Sequence, residues 1–200
     1  MIHIVRFVLS IAAGLLTLAA YWPYVRAIVR RETIPSPVSW WIWSLVGLLL
    51  LSTYAAGGGE AGLWLACSAL AGQVLVALLS IKYGKNAFTV IDLLCVCGAV
   101  VAAVTWWITA SPYLPHALVL LIDICAWYPT FQKTLRDPQS EDLSAWVLWT
   151  LGALSSLAAV QSVPSFEAAY PIYIVISDGI VAVLLLRNRI QKNRRGSPGG

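Results

Sequence analysis

Charge is what this sequence has least of. Only 11% of its 200 residues are Asp, Glu, Lys or Arg, against 60% apolar, and so little polar side chain cannot cover the surface of a water-soluble domain of this size. A soluble fold is excluded, and the short polar segments leave no room for a soluble domain beside the apolar part. Histidine is scarce as well: His3 and His116 stand isolated at the ends of apolar runs. The four cysteines, Cys67, Cys95, Cys97 and Cys125, lie inside apolar runs, where a small thiol packs readily, and Cys95 and Cys97 are two apart and so point to different faces of a helix. No metal set, glycine-rich phosphate loop or nucleophile with a base can be assembled from what remains. The chain reads as a non-enzyme that calls for no cofactor.

Apolar length is what the sequence has in quantity. Runs of roughly 20 residues, enough to cross a hydrocarbon core, fall at about 5–28, 37–56, 61–81, 87–108, 114–135, 143–161 and 168–187. They predict an all-α membrane protein with seven transmembrane helices. Lysine and arginine are enriched in short cytoplasmic loops, and here they segregate: Arg26, Arg30 and Arg31 follow span one, Lys82 and Lys85 span three, Lys133 and Arg136 span five, and Arg187, Arg189, Lys192, Arg194 and Arg195 span seven. Arg6 alone departs from the pattern. The expected topology is N-terminus outside and C-terminus cytoplasmic, in the plasma (inner) membrane. The net charge of +4 then reflects topology and calls for no nucleic-acid partner, while the tail can touch anionic headgroups of the lipid bilayer. A cleaved signal peptide ending near Ala19 and Ala20 is set aside, because the apolar run continues through Trp22 and Val25 and contains a proline that recurs downstream.

That recurrence organises the chain. Pro23, Arg30, Trp40 and Trp43 are matched without a gap by Pro129, Arg136, Trp146 and Trp149, each 106 residues on, and Leu48 and Leu51 by Leu154 and Leu157. This is an internal duplication. The units are a first three-helix repeat at 1–85, a linker helix at 86–110, a second repeat at 111–190 and a disordered basic tail at 191–200. The linker is required by parity, since two three-helix units lie parallel only if one more helix carries the chain back. Pro23 and Pro129 remove a backbone hydrogen bond near the end of their helices and act as hinges. Ser36 is the expected N-cap of the second helix, with Pro37 at its first position, and Asp142 or Ser144 its counterpart. Gly57-Gly58-Gly59 makes a tight turn, and Glu60 suits the first turn of span three.

With a proline-centred helix end, a basic loop, a Ser/Trp-rich start to the next helix, two copies and a linker helix, the chain resembles the PQ-loop superfamily, which contains the SWEET sugar transporters and proton-coupled lysosomal amino-acid exporters. The likeness covers nearly the whole chain. It implies 3+1+3 parallel repeats of three-helix bundles related by an axis along the membrane normal. The family's Pro-Gln dipeptide reads Pro23-Tyr24 and Pro129-Thr130 here, so the hinge role carries over and a gating contact by glutamine does not.

Ionisable groups deep in a bilayer are costly and mark functional sites. Asp123 and Asp178 lie ~15 Å from the outer ends of their helices at 1.5 Å per residue, close to the middle of a ~30 Å core. Asp92 is shallower and reads as a packing group. Gln73 stands 50 residues after Pro23 and Asp178 49 after Pro129, so the two third helices carry polar residues at nearly matched depth. The resemblance implies that these two form the floor of a central substrate site and that Tyr54, whose repeat partner is Val160, belongs to its wall. Trp40, Trp41, Trp64, Trp106 and Trp107 sit at helix ends, as an aromatic belt does, whereas Trp43 and Trp149 are deeper, occur in both copies and are candidates to face the central seam, stacking on a solute or packing near the proline hinges. Trp127 shares a helix face with Asp123, and an indole beside a carboxylate can hold a cation.

The expected function is a small-solute transporter working by alternating access about a midplane site. The solute is a sugar, an amino acid or a cation. A facilitator of uncharged solutes needs no acid at midplane, whereas a proton-coupled carrier needs a carboxyl that cycles between protonated and ionised forms, and Asp123 and Asp178 favour coupling or a cationic substrate. The alternative is a membrane receptor or assembly protein that uses the same fold without moving a solute. A homo-oligomer is compatible with either.

Overall fold

The computed structural model describes residues 1–84, 90–109 and 111–195. The side chains of Asp92 and Pro129 are outside the described residues, as are Lys85 and residues 196–200 of the tail. Seven α-helices are described: α1 Ile2–Val29, α2 Pro37–Gly57, α3 Glu60–Tyr83, α4 Val90–Thr109, α5 Tyr113–Arg136, α6 Leu143–Ala159 and α7 Phe166–Arg195, with one 3-10 turn at Pro138–Ser140. Each expected apolar run is one helix. Five of them, α1, α2, α3, α5 and α7, are long and apolar enough to cross a membrane, while α4 and α6 hold shorter apolar segments. The chain is an integral membrane protein by this measure. Large apolar side chains face outward along α1 (Phe7, Leu15, Trp22), α4 (Leu94, Val101, Trp107) and α7 (Ile176, Val183), an exposure that water would penalise and lipid does not.

The helices stop and start where local chemistry requires. Ser36 caps α2, its Oγ accepting from the Ser39 N–H at 3.4 Å with Pro37 in the first turn. Asp142, 106 residues on, caps α6, its Oδ1 accepting from the Ala145 N–H at 2.8 Å. α2 ends at Gly58, whose φ of +73° is the left-handed conformation that glycine adopts without strain. Pro23 sits inside a continuous α1. One boundary differs from expectation: α7 runs to Arg195, so residues 191–195 of the expected disordered tail are helical.

In lipid no hydrophobic force draws helices together, so close packing needs small residues at the seams. The buried face of α1 supplies them in Ser10, Ala13, Gly14, Thr17 and Ala20. α1 lies along α6, and a Cβ on Gly152 of α6 would stand 2.7 Å from Thr17 Oγ1 and 3.1 Å from the Ala13 carbonyl. α3 packs against both α1 and α2, and α7 against both α5 and α6. Across the molecule α1 meets α6 and α2 meets α5, while α4 rests on α5 and α2. Every helix except α4 thereby presents a side to the centre.

Candidate functional site

A cavity of about 250 Å³ occupies that centre, lined from α1, α2, α3, α5, α6 and α7. Its mouth lies at the end of the bundle that carries the 30–36 and 137–142 segments, where Ile34, Pro35, Ser36, Ser39, Lys133 and Glu141 line it. Its depths are built helix by helix. The face of α1 that packs through Ala13 and Ala20 also turns Thr17, Tyr21 and Tyr24 inward. The Tyr21 ring lies over Gly72 of α3, where any side chain would collide with it, and its hydroxyl donates to the Ala69 carbonyl at 3.1 Å. α2 contributes Trp40 and Trp43, and α6 the repeat-matched Trp146 and Trp149.

These rings form a continuous array. Tyr21 meets Trp149 edge-on at 5.2 Å between centroids, Tyr24 lies 5.3 Å from Trp40 and 5.6 Å from Trp149, and Trp40 meets Trp43 at 5.0 Å. Contacts of this kind hold aromatic side chains in fixed orientations. Tyr170 and Tyr173 of α7 close the opposite wall.

Two carboxyls reach into this aromatic box. Asp123 on α5 is faced by the Tyr170 hydroxyl and the Trp43 indole N–H. Asp178 on α7 accepts from Ser177 Oγ at 3.3 Å and feels the Asp123 carboxyl electrostatically. Both are buried, and among the described residues no Lys, Arg or His forms an ion pair with either. Four of the lining residues, Thr17, Gln73, Trp127 and Trp149, carry a buried polar atom with no hydrogen-bond partner, as does His116 outside the cavity; Thr17 Oγ1 lies in the seam against Gly152 of α6 and Gln73 Oε1 against Gly47 of α2. At the mouth Lys133 Nζ donates to Glu141 Oε1 at 2.8 Å, and Trp146 Nε1 donates to Glu141 Oε2 at 3.2 Å.

Of the residues singled out from sequence, Gln73, Asp123, Asp178, Trp43, Trp149 and Trp127 all line this one cavity. Tyr54 does not. It is fully buried towards the other end of the bundle, its hydroxyl donating to the Glu167 carbonyl at 3.1 Å and its ring meeting His116 and Phe166. His116 is not isolated either, since its Nδ1 lies 3.0 Å from Thr53 Oγ1 and its ring 4.3 Å from that of Phe166. Trp40, expected in the interfacial belt, is buried in the cavity wall, whereas Trp41, Trp64 and Trp107 are exposed. Thr17, Tyr21, Tyr24, Trp146, Tyr170 and Tyr173 were not anticipated as lining. Two signals for them existed: Thr17 is the repeat partner of Asp123, and Trp146 that of Trp40.

Compared with models of known families, with curated proteins and with solved structures, the chain matches none.

Proposed function

We propose that the chain is a small-solute transporter of PQ-loop type, with seven spans in a 3+1+3 arrangement and a solute site at the seam of its two three-helix units. The observation that carries this reading is the central cavity, lined by two buried carboxyls that form no ion pair among the described residues. The helix neighbours support the duplication: α1, α3, α2 on one side and α5, α7, α6 on the other follow the same order, and α1 with α6 repeats as α5 with α2. Tyr24 and Thr130, which come directly after the two repeat-related prolines, both line the cavity, so a change of angle at Pro23 or Pro129 would act directly on its wall.

With the N-terminus outside, the open mouth faces the cytoplasm and the far end, sealed by Tyr54, His116 and Phe166, faces out. Transport then requires the two units to rock so that the open and sealed ends exchange. Purified protein in liposomes should catalyse saturable uptake of a small solute. A flux that follows an imposed pH gradient, with the dependence lost in Asp178→Asn, makes the carrier proton-coupled. Absence of flux for sugars, amino acids and small amines from correctly folded protein would sink the reading and leave a non-transporting receptor.

A further inference from the structure

We infer that the cavity binds a small organic cation, an ammonium on an apolar or aromatic body without a carboxylate of its own. Asp123 and Asp178 are buried together with no basic partner among the described residues. Carboxyls so placed require a counter-charge, which either protons or a cationic ligand supply. The walls around them include Tyr21, Trp43, Trp149 and Tyr170, and aromatic rings attract a cation that has left water.

Gln73 agrees with this chemistry. It lines the cavity, and its Oε1 is an acceptor with no donor, held against Gly47 of α2; a turn of that side chain into the cavity would offer it to the N–H groups of an ammonium. The same lining disfavours amino acids. Among the described residues the only lysine or arginine lining the cavity is Lys133, at its mouth and already paired with Glu141, so no cation is free there to take an α-carboxylate. A neutral sugar leaves both carboxyls to be neutralised by protons, whereas an ammonium supplies the counter-charge itself. At about 250 Å³ the space is below the ~300–1,000 Å³ of pockets for drug-sized ligands, which limits the body to one small ring or a short chain.

This inference deepens the transport reading of the same cavity and rests on it for movement of the solute, not for binding. The test is equilibrium binding to purified full-length protein, by calorimetry and by quenching of the cavity tryptophans. The probes are a series of ammonium ions from tetramethylammonium to 2-phenylethylammonium, with 2-phenylethanol as neutral isostere, phenylalanine as the carboxylated analogue, and glucose. Expected is saturable binding within the ammonium series, at least tenfold weaker binding of 2-phenylethanol and phenylalanine, and at least tenfold loss in Asp123→Asn and in Asp178→Asn. Leu94→Ala, on the outward side of α4 and away from the cavity, should bind as the parent does.

Equal or tighter binding of the neutral isostere or of glucose overturns the inference, as does unaltered ammonium binding in both aspartate variants. If an aspartate variant fails to fold, the cation-over-neutral preference of the parent protein still decides. Amine binding without flux keeps the ligand class and defeats transport, while sugar flux without amine binding does the reverse.

Discussion

Glu141 is held at the cavity mouth by two side chains that differ in their access to water. Its own side chain is only 2% exposed and is satisfied by Lys133, which is 40% exposed, and by the Trp146 indole. Breaking a buried ion pair from one side leaves an uncompensated charge, and the penalty depends on which charge stays behind. Lys133→Met strands a buried carboxylate and should destabilise by about 1–3 kcal/mol, less than for fully buried pairs because the lysine is partly solvated. Glu141→Gln keeps an acceptor for Trp146 and leaves a lysine that water can reach, so it should lower the melting temperature less. Equal losses in the two variants would contradict this account. Residues at this scale are legible in part. The depth of Asp123 and Asp178 comes from counting along a helix, and their burial follows because an ionisable group at that depth is costly against lipid. Trp40 and Tyr54 depart from expectation because depth along the axis says nothing of azimuth: which side of a helix faces the centre is decided by neighbours that the sequence does not name. His116 looks isolated in the sequence for the same reason, since its partner Thr53 is 63 positions away.

At the level of elements, nearly everything is readable, because a bilayer-length apolar run leaves the backbone few options other than helix. The N-caps are readable too: Ser36 before a proline is a strong start signal, and of the two candidates before α6 it is Asp142, not Ser144, whose carboxylate accepts from the cap position. The extent of α7 is not, since a basic stretch ending in Gly and Pro reads as tail, whereas the helix carries on to Arg195. The seam between α1 and α6 also has no signature beyond its small residues. Gly152 permits that seam, and Gly152→Val would push its side chain into Thr17 Oγ1 and the Ala13 carbonyl. Overpacking of this kind costs about 1–3 kcal/mol, so the variant should show a lowered melting temperature in detergent. Gly179→Ala on α7 is the matched control, since the nearest atom, Thr150 Cγ2, is 3.8 Å from the added Cβ and little change is expected. A seam that tolerated valine as well as α7 tolerates alanine would mean that α1 and α6 can separate freely.

For the whole molecule the central asymmetry is between its ends. One end carries the cavity mouth, with the 30–36 segment tied to the 3-10 turn by Thr33 Oγ1 donating to the Ser140 carbonyl at 3.4 Å. The other is sealed by Tyr54, His116 and Phe166, the last also meeting Tyr113 edge-on at 5.2 Å. The distribution of lysine and arginine predicts which end is cytoplasmic, independently of the cavity, so the two can be checked against each other in one experiment. In a cysteine-free background, Ser162→Cys in the segment before α7, Asn193→Cys in the last turn of α7 and Ser39→Cys at the cavity mouth are treated with a membrane-impermeant maleimide from each side in turn. Asn193→Cys and Ser39→Cys should react from the cytoplasmic side and Ser162→Cys from the outside. If positions 162 and 193 react from the same side, α7 does not cross the membrane. If position 39 reacts with 162 and not with 193, the cavity opens outward. If position 39 reacts from both sides, each at a rate that a bound solute slows, the two ends exchange during the experiment, as alternating access requires.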